Sequence, residues 1–173
     1  LRQGSLKPGQ EIEIRPGYEV VEKNQKKWKP LVTSITAIQG GGGELDELSP
    51  GGSVGLQTNL DPSLVSSDKL SGSMLGEPGK LPEVWENFTL EVHLLDRVVG
   101  SKEDLQVEKI KQGEALMLNV NSAATVGVVI ELKKDKVVCR LKLPVCADVG
   151  SRVTISRMIG NRFRLIGYGI IQK

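Results

Sequence analysis

Apolar and polar residues alternate with a period of two along most of this chain, which predicts strands with one buried face. In residues 10–17, QEIEIRPG, Ile12 and Ile14 alternate with glutamates, and Pro16-Gly17 reads as a turn. KPLVTSITAI, at 29–38, sets Leu31, Thr33, Ile35 and Ala37 against Val32, Ser34, Thr36 and Ile38. The glycines at 40–43 predict a mobile loop, followed by a turn at Gly51-Gly52 and the strand SVGLQTNL. WENFTLEVHLL places Phe88, Leu90, Val92 and Leu94 on one face and Thr89, Glu91 and His93 on the other. Residues 114–145 give three further strands. The first turns Leu116, Leu118 and Val120 inward, the second Val126, Val128, Ile130 and Leu132, and Lys134-Asp135 turns into the third. The segment 154–173 reads as a hairpin followed by a strand punctuated by glycines. No stretch sustains a 3.6-residue period, so the expectation is an all-β chain of barrels or sandwiches. Pro78, Gly79 and Pro82 break the pattern and predict a domain boundary near Lys80, giving domains 1–80 and 81–173.

Composition narrows the function classes. The 173 residues carry a net charge of only +2, so nucleic-acid contact must come from local patches. With few aromatics, Val, Ile and Leu must build the cores. No apolar run is long enough to span a bilayer, and no signal-peptide pattern is present. The chain opens at Leu1 on what reads as a strand end, and the expectation is a fragment of a longer protein. Cys139 and Cys146 fit no common zinc spacing, with only His93 to assist. In KVVCRLKL, Cys139 shares a face with Val137, Leu141 and Leu143, so it reads as a small core residue with an inert thiol and points to a cytoplasmic origin.

Catalytic chemistry is hard to find. A phosphate-cradling loop needs a glycine five positions before Gly79 and a hydroxyl after Lys80, but Met74 and Leu81 stand there. No helix follows the glycines at 40–43 to supply an N-terminal dipole. The single histidine, His93, lies on a polar strand face and has no evident nucleophile. The carboxylates Glu44, Asp46, Glu47, Glu103 and Asp104 are scattered in loops. Basic residues are more suggestive. Lys23, Lys26, Lys27 and Lys29 surround Trp28 in a hairpin tip or edge strand, a combination suited to RNA phosphates and bases. The other reading is a solvated hairpin with one packed Trp. Arg152, Arg157, Arg162 and Arg164 form a second cluster, which fits phosphate contact or structural ion pairs such as one with Asp148.

Several strings, in order, resemble the gamma subunit of archaeal and eukaryotic translation initiation factor 2. They are GSLKPGQEIEIRPG (4–17), PGGSVGLQTNLDPSL (50–64), LSGSMLG (70–76), LLDRVVGSKE (94–103), EALMLNVNSAATVGVV (114–129) and TISRMIGNRFRLIGYG (154–169). The short RVVGSKE connection looks archaeal. The resemblance implies two consecutive β-barrels, like the second and third domains of elongation factor Tu, without the GTPase domain that precedes them in the family. It implies a non-catalytic piece of a GTPase that delivers methionylated initiator tRNA to the small ribosomal subunit. GTP and magnesium would bind the missing domain, and this piece would hold no cofactor or metal. Implied partners are the alpha subunit on residues 1–80, the parent's own GTPase domain and the initiator tRNA, with no membrane.

Residues 45–55, LDELSPGGSVG, are similar to the elongation-factor loop that abuts the terminal nucleotide of aminoacyl-tRNA. The resemblance therefore implies acceptor-end contacts at Glu47, Gly51, Gly52 and Gly55, although Ser49-Pro50 departs from the pattern. A plain barrel turn is the alternative. Candidate RNA phosphate contacts are Lys26, Lys27, Lys29, Arg157, Arg162 and Arg164. Two other readings stay open: the matching barrels of another tRNA-carrying elongation-factor-like GTPase, or an unrelated all-β enzyme with dispersed catalytic residues.

Overall fold

The computed structural model describes residues 1–100 and 105–173; Glu103 and Asp104, among the scattered carboxylates, lie outside the described residues. The chain is almost entirely β and divides into two compact units. One comprises Leu1–Leu70 and Met74–Leu81, and the other Ser71–Ser73 and Pro82–Lys173.

The first unit is built on two long antiparallel strands, β1 (Glu11–Glu22) and β2 (Gln25–Gly40), joined by a turn at Lys23-Asn24. Both turn residues have positive φ (51° and 62°), the geometry of a tight hairpin turn that follows the twist of its strands. The glycines at 40–43 close a second tight hairpin, with β3 (Gly43–Glu44) pairing Gln39 and Gly40, in place of the mobile loop expected. β4 (Gly55–Thr58) also pairs the far end of β2, and β5 (Met74–Gly76) pairs β1. A four-residue helix, α1 (Pro62–Val65), is capped by the Asp61 carboxylate, which accepts from Ser63 N. The resulting five-stranded sheet folds over a core of Leu6, Ile12, Ile35, Ile38 and Leu48.

Pro16-Gly17 proves to be a bulge inside β1 and not its end, since the pairing with β2 slips between Ile14 and Tyr18 and then resumes. Glycine is required there: φ is +88°, and a Cβ would lie 1.9 Å from the Lys29 carbonyl oxygen. Beside the bulge, Glu13 is buried. It accepts from Arg15 Nε (2.7 Å), Arg15 Nη2 (3.2 Å) and Gly79 N (2.7 Å), while Arg15 Nη1 donates to Leu81 O (3.0 Å). This clasp binds residues 79–81 to β1. The Arg15 guanidinium, against the cost of burial, holds the Glu13 carboxyl below its ordinary range.

The second unit is a closed barrel of six strands. They are β6 (Val84–Leu94), β7 (Ala115–Val120), β8 (Ala123–Lys133), β9 (Lys136–Cys146), β10 (Arg152–Ile159) and β11 (Arg162–Gln172), in spatial order β10-β11-β6-β9-β8-β7 and closed by the β7–β10 pair. The interior holds Phe88, Leu90, Leu116, Leu118, Val120, Cys139, Ile155, Ile166 and Ile171 among others. Burial pushes the Cys139 thiol up to about 12, the inert core cysteine expected.

One strand face is reversed from expectation. In β8 the residues turned inward are Thr125, Gly127 and Val129; Val126 and Val128 are half-buried, and Ile130 and Leu132 are 40% and 43% exposed. Gly127 lies under Leu118, whose Cδ1 would be 2.5 Å from an added Cβ. Thr125 is tolerated inside because its hydroxyl donates to Leu143 O (2.8 Å) and accepts from Leu143 N (3.0 Å). The same bonds turn β9 at its far end, leaving Leu143 exposed.

The Glu13 clasp predicts a stability signature. Its carboxyl is depressed in the folded state, so its contribution is full above the unfolded value near 4.5 and is lost as pH falls through the folded value. Glu13→Gln is expected to cost about 2 kcal/mol at pH 7, since a charged acceptor of buried donors is removed. Urea denaturation at pH 7 and pH 3 checks this: the gap between the variant and the parent should shrink in acid.

Candidate functional site

The loop carrying Glu47 is anchored by Leu48, which is buried and exchanges both backbone bonds with Leu6 (3.0 and 2.8 Å). This anchor leaves Glu47 outside, 3.4 Å from Lys7 Nζ. A hydrogen bond from Ser5 and the nearby Lys7 charge hold its carboxyl below the usual range. Gly51 and Gly52 have φ of +117° and +69° and nothing within 4 Å of where a side chain would stand. Gly55 begins β4 opposite Gln39. The loop therefore offers an ionised carboxylate and an open backbone stretch, to which a planar or ribose group could come close.

The lysine hairpin lies at the other end of β2, so these two candidate regions are not one site. Lys26 pairs with Glu19 at 2.8 Å, Lys27 with Glu22 at 3.7 Å, and Lys29 with Glu22 as well. All three lysines are at least half exposed or nearly so, and solvent screens pairs of this kind. They are therefore free to exchange partners. Lys23, at the turn, has no ion-pair partner among the described residues.

The arginine cluster separates into distinct environments. Arg157 is internal: Nε and Nη2 (3.1 Å) grip the Glu114 carboxylate, Nη1 donates to Glu108 O (2.9 Å), and Nη2 to Lys109 O (3.2 Å). Glu114 Oε2 also accepts from Lys111 N (2.9 Å). The network straps the connection before β7 onto β10, and a cleft of about 430 Å³ opens beside it at Gln112 and Met158. Arg162 is exposed at the end of the β10–β11 hairpin, and Arg164 is half-buried against Gly100. Neither has a carboxylate partner among the described residues. Arg152 makes no ion pair with Asp148; its Cζ lies 4.3 Å from the centre of the Tyr168 ring. Tyr168 in turn stacks on His93, with ring centres 4.9 Å apart and an interplanar angle of 22°. Sequence reasoning missed this triplet, although the alternation that turns Leu90 and Val92 inward already turns His93 out.

No group of three or more His, Cys, Asp or Glu side chains suited to a metal ion occurs among the described residues. Among the described residues no helix is long and apolar enough to cross a membrane.

Comparison with known proteins decides the family. Residues 86–171 match the family model for initiation factor eIF2 gamma, C terminal. The chain is 53% identical over 171 residues to the translation initiation factor 2 subunit gamma of Thermococcus kodakarensis, covering 99% of this chain and 42% of that protein. It is 56% identical over 169 residues to the same subunit of Methanococcus vannielii, covering 98% and 41%. The chain belongs to the initiation factor 2 gamma family. It spans about two fifths of the length of these relatives. Membership favours the gamma subunit over the other readings left open above. The closed barrel and the second sheet fit the elongation-factor-like second and third domains.

The Arg157 strap gives a test of roles. Arg157→Ala leaves the largely buried Glu114 carboxylate without its cation and is expected to cost about 2–3 kcal/mol in urea denaturation. Arg162→Ala is expected within about 0.5 kcal/mol of the parent. Equal effects would remove Arg157 from the architecture and return it to the surface-contact candidates.

Proposed function

We propose that this chain is a non-catalytic carrier portion of an initiation factor 2 gamma subunit. In this reading the whole protein is a cytoplasmic GTPase that delivers methionylated initiator tRNA to the small ribosomal subunit. GTP and magnesium bind a domain outside this chain. Residues 1–80 dock the alpha subunit and touch the tRNA acceptor end through Glu47, Gly51, Gly52 and Gly55. The lysines of the β1–β2 hairpin, with Arg162 and Arg164 on the other unit, add phosphate contacts. The observation that carries the proposal is the identity to gamma subunits across 98–99% of the chain. The open glycine backbone beside the ionised Glu47 supports the acceptor-end contact, because glycines let a backbone approach a nucleotide while the carboxylate accepts from an amine or hydroxyl.

A pull-down with the alpha subunit, run beside filter binding of methionylated initiator tRNA, tests the assignment. Alpha binding is expected to survive in this chain. Affinity for tRNA is expected to be weak, ~10⁻⁴–10⁻⁶ M and steeply salt-dependent, because most of the aminoacyl pocket lies elsewhere. Replacing Lys26, Lys27 and Lys29 together by Ala should flatten the salt dependence. Tight, salt-insensitive tRNA binding without alpha binding would reverse the roles.

A further inference from the structure

We propose that the outer face of β6, β11 and β10 is a binding surface for single-stranded RNA, centred on His93, Tyr168 and Arg152. It is separate from the loop and hairpin contacts proposed for residues 1–80 and does not depend on them. The three groups come from three adjacent strands and form a continuous stack: Arg152 lies on Tyr168 and Tyr168 on His93. Directly opposite Tyr168 across β10 is Thr154, and opposite Thr154 across β7 is Asn119, both exposed. On the far side of His93, Lys136 of β9 stands opposite Glu91. Across the four strands from β10 to β9, about 14 Å at ~4.8 Å per strand, one row runs Arg152, Ile170, Glu91, Lys136, and beside it Thr154, Tyr168 and His93 form a second row that carries the two rings.

The partners of these groups point to a ligand beyond the protein. Arg152 is exposed and has no carboxylate or carbonyl acceptor among the described residues. Its Cζ lies 4.3 Å from the centre of the Tyr168 ring, and its N–H groups remain available to an outside acceptor, which suits a phosphate. Lys134 and Lys136, at the β8–β9 turn, also lack ion-pair partners among the described residues. Two carboxylates border the stack: Glu91, engaged by His93 Nε2 at 3.3 Å, and Asp135, which sits between Lys134 and Lys136. Thr154 and Asn119 extend the row with neutral donors and acceptors. Aromatic rings and flat guanidinium groups interleaved with cations are what a sequence-tolerant single strand uses: bases add to the stack and phosphates take the N–H groups.

Tyr168 keeps its place through the glycines on either side. A Cβ on Gly167 would lie 2.4 Å from the His93 carbonyl oxygen, and one on Gly169 would lie 3.0 Å from Leu90 Cβ. Glycine at both positions lets β11 press against β6, which brings the Tyr168 and His93 rings into register.

The test is an NMR titration of the full 173-residue chain with hexauridylate, with uridine monophosphate as a second arm. Saturable shifts at His93, Arg152, Thr154 and Tyr168 are expected with hexauridylate. Tyr168→Ala should weaken binding about fivefold or more, and Tyr168→Phe, which keeps the ring, should bind as the parent does. Arg152→Gln should weaken binding and reduce the salt slope by about 0.7, the loss of one phosphate contact. If Tyr168→Ala does not fold, the Phe and Gln variants still decide the question. Shifts confined to other faces would overturn the proposal. So would a folded Tyr168→Ala or Arg152→Gln variant that binds as the parent does, and so would a monophosphate that binds as tightly as the strand.

Discussion

The space inside a closed six-stranded barrel governs the second unit. Such a barrel has no edge strand, so every inward position must either fill the interior or leave it. Gly127 leaves room for Leu118, Gly169 for Leu90, and Gly167 for the backbone of His93. These gaps set which neighbours interlock, and they fix everything on the outside as well. With Leu90 and Val92 turned in, Glu91 and His93 must point out. With Gly167 and Gly169 held against β6, Tyr168 must stand beside His93. Arg157 is carried to the barrel's end, where its guanidinium meets Glu114 and the carbonyls of the preceding connection.

The first unit solves a different problem. Its longest strand, β2, serves β1 with one half and β3 and β4 with the other, so one strand joins all the parts of the sheet. The slip at Pro16-Gly17 lets the hairpin continue past the core as a two-stranded ribbon bearing the lysines. The cost is local irregularity, and the Glu13–Arg15 clasp meets it by satisfying the backbone of residues 79–81 beside the bulge. The Glu47 loop is pinned by the buried Leu48, with Leu45 and Val54 half-buried against the same core, while Glu47, Gly51 and Gly52 stay open to solvent.

Much of this was legible in the sequence. Period-two alternation located β1, β2, β6, β7, β9 and the β10–β11 hairpin, and it separated Phe88, Leu90 and Val92 from Thr89, Glu91 and His93. It failed where a residue's inward position depends on a partner far along the chain. Nothing local says that Thr125 will find Leu143, or that Gly127 sits under Leu118, so the bulky valines of β8 were placed on the wrong face. The Pro16-Gly17 pair carries the same signal whether it ends a strand or bulges one, and only the backbone of Lys29 across the ladder distinguishes the two. The candidate basic residues were visible as composition. Their pairings were not: Arg157 turned inward to Glu114, while Arg152 was left on a tyrosine ring. The glycines around Tyr168 were noted as punctuation, and their role as a close approach between strands appears only in three dimensions.

The most direct test of this account is Gly167→Ala. Its added Cβ meets a backbone carbonyl, which cannot swing aside as a flexible side chain could. The barrel should lose at least about 2 kcal/mol in urea denaturation, the range expected of overpacking. The ring resonances of His93 and Tyr168 should move together as β11 is pushed from β6. An alanine variant with the parent's stability and unchanged ring resonances would show that close strand approach does not organise this barrel.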